Sequence, residues 1–198
     1  MSDAETLSVY AAKAADYAKL TNAETASPHL LRFISKLPAG ARVLDLGSGP
    51  GFAAGAMATA GMDAHAWDPV LEMIAMAEQY QGVTARQAVY SDLTEIAAYD
   101  GIWCNFSMLH TPLADWPDHF SAIARALKPG GLLHFGTKVG TGEKRDRIGR
   151  LYSYMTQEAL LALLNQKGFE VDYTHTGEDK GLSGEMARFI VLQGTARG

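Results

Sequence analysis

The sequence predicts an α/β fold in which a seven-stranded, mostly parallel sheet carries helices on both faces and ends in an antiparallel hairpin strand. Three observations predict it. Short apolar β-type runs alternate with longer helical ones between Arg42 and Thr137, the pattern of βαβ units. The stretch Val43-Leu44-Asp45-Leu46-Gly47-Ser48-Gly49-Pro50-Gly51 feeds one such run into a glycine loop that opens an Ala-rich helix. Two last β-like runs, Phe169 to Thr174 and Met186 to Leu192, are joined by a polar, glycine-containing connection of hairpin type.

Taken in order, Leu7, Tyr10, Ala11, Ala14, Tyr17 and Ala18 fall at helical spacings, so Asp3 to Leu20 reads as one amphipathic helix. A second helix is expected over Pro28 to Leu37, with Ser27 as its N-cap and Pro28 at the first helical position, and Pro38-Ala39-Gly40 breaks it. Strands follow at Arg42 to Leu46, Met62 to Trp67, Val83 to Val89, Gly101 to Phe106 and Leu132 to Thr137. The helices between them are expected at Ala53 to Ala60, Leu71 to Tyr80 and Asp115 to Leu127. Val139 to Gly149 is polar and Gly-rich and reads as a loop over one end of the sheet. A final helix, Thr156 to Lys167, is stopped by Gly168.

Composition narrows the function. With 198 residues, 47% hydrophobic and 20% charged, the chain suffices for one domain with a full core. The net charge of -5 and pI near 5.6 oppose a polyanion partner, so nucleic acid is not expected. The single cysteine, Cys104, allows no internal disulfide and no thiolate metal site. Six scattered histidines with no i, i+4 pair give no metal site either. The amino terminus lacks a basic region followed by an apolar stretch, and no apolar run approaches the ~20 residues of a membrane span. A cytoplasmic, unprocessed protein with no membrane association is the expectation; nothing in the sequence fixes an oligomeric state.

A strand-to-helix glycine loop lets backbone approach a nucleotide-like ligand. A dinucleotide fingerprint needs a third small residue three places after Gly49, and that position is Phe52. What stands there instead is Asp-x-Gly-x-Gly-x-Gly from Asp45 to Gly51. A second signal is Asp68, at the end of the next β-run and 21 residues after Gly47, where a carboxylate can accept both ribose hydroxyls.

This pair of motifs resembles class I S-adenosylmethionine (SAM) dependent methyltransferases with a Rossmann-like sheet. The resemblance continues through Tyr99-Asp100-Gly101-Ile102-Trp103, Asn105-Phe106-Ser107-Met108-Leu109-His110 and Arg125-Ala126-Leu127-Lys128-Pro129-Gly130-Gly131, covering roughly Asp3 to Leu192. It is similar to small bacterial members near the tellurite-resistance group. The resemblance implies SAM as cofactor, S-adenosylhomocysteine as product, and cofactor contacts from Asp45, Gly47, Ser48, Gly49, Gly51, Asp68 and Asn105. It also places Met73 under the adenine, although a helix-core role fits Met73 equally. Many members carry an acid after the third strand for the adenine amino group. Here Val89 holds that place, so backbone at Val89 and Tyr90, or else Asp92, would serve. The whole chain, 1–198, then reads as one domain: N-terminal helices or lid (1–37), cofactor-binding core (41–138), substrate-side loop (139–154), and C-terminal helix and hairpin (155–198). Tyr17 is assigned to cofactor contact and Tyr10 to packing.

Methyl transfer from a sulfonium is an in-line displacement in which alignment does most of the work. Where the acceptor must lose a proton, His110 is the candidate catalytic base; the competing role is to cap a loop or bond a backbone carbonyl. The stretch Lys138 to Tyr152 holds three arginines and two lysines against two acids. Lys138, Arg147, Arg150, Tyr152 and His110 are therefore candidate contacts to a small, anionic acceptor, the alternative being a solvated, salt-bridged loop. The absence of an Asn-Pro-Pro-Tyr tetrad opposes amino methylation of adenine or glutamine, and one cysteine opposes arsenite methylation. The remaining alternatives are an NAD-dependent oxidoreductase, disfavoured by Phe52, and a non-catalytic SAM-binding protein.

Overall fold

The computed structural model describes residues 3–21, 26–180, 184 and 186–197. Five strands run parallel: β1 (Arg42–Leu46), β2 (Asp63–Asp68), β3 (Val83–Gln87), β4 (Tyr99–Asn105) and β5 (Leu127–Lys138). A two-stranded hairpin, β6 (Gly142–Arg145) with β7 (Leu151–Tyr154), follows, and then β8 (Phe169–Lys180) and β9 (Met186–Ala196). The main sheet has seven strands in the order β3-β2-β1-β4-β5-β9-β8, with β9 antiparallel to both its neighbours. The helices are α1 (Ala4–Ala12), α2 (Ala14–Thr21), α3 (Pro28–Ser35), α4 (Phe52–Thr59), α5 (Leu71–Ala77), α6 (Trp116–Ala126) and α7 (Gln157–Gln166).

Successive strand residues point to opposite faces, and both faces are buried. Val43 packs with Leu30 and Phe33 of α3 and Met57 of α4. Its neighbour Leu44 faces the other side, where it joins the larger core cluster to which Phe120 of α6 and Leu160 of α7 also belong. Val43 and Leu44 are both fully buried, each such aliphatic side chain contributing about 1.5–3 kcal/mol of transfer free energy. The helix signals act locally as expected: Ser27 Oγ accepts from Leu30 N, Thr156 Oγ1 accepts from Ala159 N, and Gly168 leaves α7 at φ 86°.

Three expectations need correction. The first helix is two, because the chain turns at Lys13; the bend lets Leu7, Tyr10, Ala14 and Tyr17 all pack towards Val70 and Met73. The loop expected at 139–149 contains β6, whose four residues are all exposed and so carry no apolar period. The last two strands run beyond their apolar runs, and residues 181–183 and 185 of their connection lie outside the described residues. Pro129-Gly130 keeps its turn character as an excursion within β5, since Leu127 pairs with Tyr99 and Leu132 with Gly101. Among the described residues no helix is long and apolar enough to cross a membrane.

Candidate active site

At the carboxyl ends of β1, β2 and β4, where parallel strands diverge and leave a crevice, the chain forms a cavity. Asp45, Gly47, Ser48, Gly49, Asp68, Met73, Val89, Tyr90, Asn105 and His110 all line it, and Tyr10 and Tyr17 cover it from α1 and α2. Residues that the sequence assigned separately to five segments are thus brought to one enclosure. Gly51 is not on the wall. It caps α4 at φ 85°, and a Cβ there would stand 2.5 Å from Ala77 Cβ on α5. Its glycine is a requirement of helix packing.

The loop is held by β2. Gly47 N and Ser48 N both donate to Trp67 O, at 2.8 and 2.9 Å. Asp68 then fixes the loop from the strand's end: Oδ2 accepts from Gly49 N and Oδ1 from Val70 N, each at 2.9 Å. Burial raises the Asp68 carboxyl to about 6, against the pull of those two backbone donors. Asp45, 3% exposed, accepts from Ala54 N and is raised by burial to about 8, with Asp68 adding to the effect. Two buried acids therefore flank the loop and favour ligand groups that donate hydrogen bonds or carry positive charge.

Beside them Met73 is both buried and on the wall, packed with Val70. Asp92 does not line the cavity; its Oδ2 accepts from Val89 N and closes the turn after β3. The Tyr90 hydroxyl lies 2.7 Å from Ser107 Oγ, and Ser107 Oγ donates to Leu46 O at 2.8 Å. These bonds lock the segment after β4 against the glycine loop.

His110 stands in a buried chain of hydrogen bonds. Its Nδ1 is 2.6 Å from the Leu151 carbonyl, which can only accept, so Nδ1 carries the proton and Nε2 accepts. The Tyr10 hydroxyl, 2.8 Å away, is the donor to Nε2 and in turn accepts from Arg150 Nη1 at 2.7 Å. Burial chiefly, with the Arg150 charge, lowers His110 to about 3 despite the Leu151 bond, so the ring is neutral.

Of the acceptor contacts expected from residues 138–152 and His110, His110 lines the cavity, whereas among the described residues no Lys or Arg does. Arg150 is 1% exposed and is held by Asp146 Oδ2 through Nε at 3.0 Å and Nη2 at 2.8 Å. Lys138 Nζ sits 4.6 Å over the ring of Tyr152, which is buried behind His110. Arg147 is exposed. Arg145 pairs with Asp3 and Glu5 and so ties the hairpin to α1. The wall also holds Thr6, Leu7, Phe52, Trp103, Phe106, Ser107 and Thr111, which sequence reasoning did not assign. Ser107 lay within the quoted Asn105–His110 motif; Phe106, at φ 53°, carries no sequence signal for that conformation.

A family model described as a methyltransferase domain matches residues 17–174. No curated protein sequence matches the chain significantly. The fold is similar to that of Burkholderia thailandensis 1,6-didemethyltoxoflavin-N1-methyltransferase, solved with 1,6-didemethyltoxoflavin and S-adenosylhomocysteine: TM-score 0.80, 21% identity, covering 98% of this chain and 88% of that one. A SAM-dependent methyltransferase from Methanosarcina mazei gives TM-score 0.73 at 19% identity over 87% of this chain and 98% of that one. A TehB-like SAM-dependent methyltransferase from Corynebacterium glutamicum gives 0.70 at 21% over 94% and 99%.

Proposed function

The chain belongs to the class I SAM-dependent methyltransferase family, and from that premise we propose that it methylates a small-molecule acceptor by in-line displacement within the cavity beneath α1. The observation that carries this reading is the meeting of the glycine loop, Asp68 and His110 on one wall. The residues fit the cofactor: acids for hydroxyl and ammonium donors, a glycine loop for close backbone approach, and Met73 with Val70 as an apolar surface. When bound, SAM supplies an already activated methyl group, the sulfur–carbon bond breaking as the acceptor–carbon bond forms.

The protein's part is then alignment, exclusion of water and removal of a proton. Asp68 would accept the ribose hydroxyls, its carboxylate held in place by the bonds from Gly49 N and Val70 N. Tyr17 covers the loop, its ring edge 3.4 Å from where a Cβ on Gly49 would stand. Tyr10, Phe106, His110 and Thr111, which line the same cavity, are assigned to the acceptor side in this reading. Tyr10, held protonated by burial, stands between an acceptor and His110. A proton leaving the methylated acceptor passes to Tyr10 Oη as the phenolic proton passes to His110 Nε2. His110 is a weak base, and that is enough for an acceptor that becomes strongly acidic on taking up the methyl cation. Among the described residues no Lys or Arg lines the cavity, which supports a neutral acceptor over a carboxylate or oxyanion.

The test is incubation of the purified protein with methyl-labelled SAM and a panel pairing neutral hydroxyl and ring-nitrogen compounds with their carboxylated analogues. Label transfer to the neutral set is expected. Transfer confined to the carboxylated set would overturn the acceptor assignment.

A further inference from the structure

A line of buried polar side chains crosses the sheet and ends at the cavity, and the function described above does not use it. It starts on β9 at Gln193, passes through His134 on β5 and reaches Asn105 at the end of β4. Gln193 and His134 are cross-strand partners, as are His134 and Trp103, and Asn105 pairs with Gly136. Gln193 and His134 are fully buried. His134 stacks on Trp103 with ring centroids 3.4 Å apart and planes 11° from parallel.

Donor and acceptor roles along this line follow from one end. The backbone carbonyl of His29 can only accept, and Gln193 Nε2 donates to it at 2.8 Å, which fixes the Gln193 amide. The same Nε2 lies 3.3 Å from His134 Nδ1, so Nδ1 accepts. A neutral imidazole then carries its proton on Nε2, and burial keeps this ring neutral. His134 Nε2 donates at 3.0 Å to Asn105 Oδ1. Gly136 makes room for that oxygen, since a Cβ there would be 2.3 Å from it. The Asn105 amide is therefore held with its oxygen towards His134 and its NH2 the other way, and Asn105 lines the cavity. Among the described residues none accepts from Asn105 Nδ2.

We propose that His134 is a positioning residue for cofactor binding: it locks Asn105 so that the amide NH2 donates to the carboxylate of the cofactor's amino-acid part. This rests on the reading of the cavity as the SAM site. The assignment follows from hydrogen-bond polarity. A donor-only NH2 matches an acceptor-only carboxylate, just as Asp45, on the adjacent strand β1 where it pairs with Trp103, matches the ammonium group, whose positive charge favours the ionised carboxylate over its buried, protonated form. Asn105 and Asp45 thus read the two ends of the zwitterion from neighbouring strands.

The experiment is calorimetric titration with two ligands: S-adenosylhomocysteine, and 5′-methylthioadenosine, which keeps the nucleoside and thioether but lacks the amino-acid part. Asn105→Asp still accepts from His134 but loses the NH2, and is expected to weaken S-adenosylhomocysteine about 10- to 100-fold, the range for a hydrogen bond to a charged group. Its affinity for methylthioadenosine is expected to stay at the wild-type value. His134→Phe keeps a ring on Trp103 and releases the amide; it is expected to lose S-adenosylhomocysteine affinity selectively, with His134→Gln, which retains a donor, recovering part of it. Should His134→Phe fail to fold, Asn105→Asp and His134→Gln carry the test. Unchanged affinity for S-adenosylhomocysteine in Asn105→Asp, or equal losses for both ligands, would overturn the proposal. Wild-type protein that binds neither ligand would instead overturn the cofactor reading on which it rests.

Discussion

Tyr10 and His110, separated by 100 residues in the chain, share a 2.8 Å hydrogen bond that commits the imidazole's acceptor nitrogen to the N-terminal helix. Arg150 donates to the same hydroxyl from the β6–β7 hairpin. The helix, the hairpin and the segment after β4 therefore meet at one phenolic oxygen, and Tyr10 lines the cavity.

Replacing Tyr10 by Phe keeps the ring but removes both hydrogen bonds. Turnover is expected to fall about 100-fold, the size of a general acid–base contribution, while S-adenosylhomocysteine affinity holds. Steady-state kinetics and calorimetry on the same preparation check this; a loss confined to cofactor affinity would place Tyr10 against the cofactor instead.

Arg150 and Asp146 form an ion pair with side chains only 2% and 3% exposed. Arg150→Met leaves a buried carboxylate without its partner and is expected to cost about 3–5 kcal/mol in urea unfolding, most of which returns in Arg150→Met with Asp146→Leu. If the single variant unfolds with the wild-type midpoint, the pair contributes nothing.

Gly51→Ala places a methyl 2.5 Å from Ala77 Cβ and 2.7 Å from its Cα, at a left-handed residue. A destabilisation of about 1–3 kcal/mol is expected from the overpacking, with the backbone conformation adding to it. A thermal midpoint equal to wild type would mean that α4 and α5 separate freely.

The two buried acids give a pH signature. Burial raises Asp68 to about 6 and Asp45 to about 8 from the usual 3.8. Between the unfolded and folded values the native state binds more protons, so their contribution to stability falls as pH rises, through about 6 for Asp68 and about 8 for Asp45. Asp45→Asn removes one of these titrations while keeping an acceptor for Ala54 N. Its stability relative to wild type is therefore expected to improve steadily over the same rise in pH, followed by thermal melts without ligand. A difference that does not vary with pH would contradict the burial argument.

The parallel core was legible because β1, β2 and β4 carry buried runs bounded by turn residues, and the glycine loop because Gly47, Gly49 and Gly51 adopt positive φ that their residue type announces. The place of Asp68 at the end of β2, beside the glycine loop, was legible from spacing. The β6–β7 hairpin was not, because Gly142–Arg145 is exposed on every residue and leaves no period in the sequence. Nor was the burial of Arg150, which depends on Asp146 four residues earlier folding back to take both guanidinium edges. Of the basic stretch, Arg145 and Arg150 are taken up in ion pairs, while Lys138 and Lys144 lie over tyrosine rings. The Gln193–His134–Asn105 line was invisible for a related reason: its members come from three strands, and only their register makes them neighbours.

The most direct measurement is calorimetric titration of wild type and Asp68→Ala with S-adenosylhomocysteine and, separately, with NAD. Micromolar binding of S-adenosylhomocysteine to wild type alone, lost in Asp68→Ala, with no binding of NAD, is the expected result. Equal S-adenosylhomocysteine affinity in both proteins, or binding of NAD in its place, would contradict the assignment of this cavity.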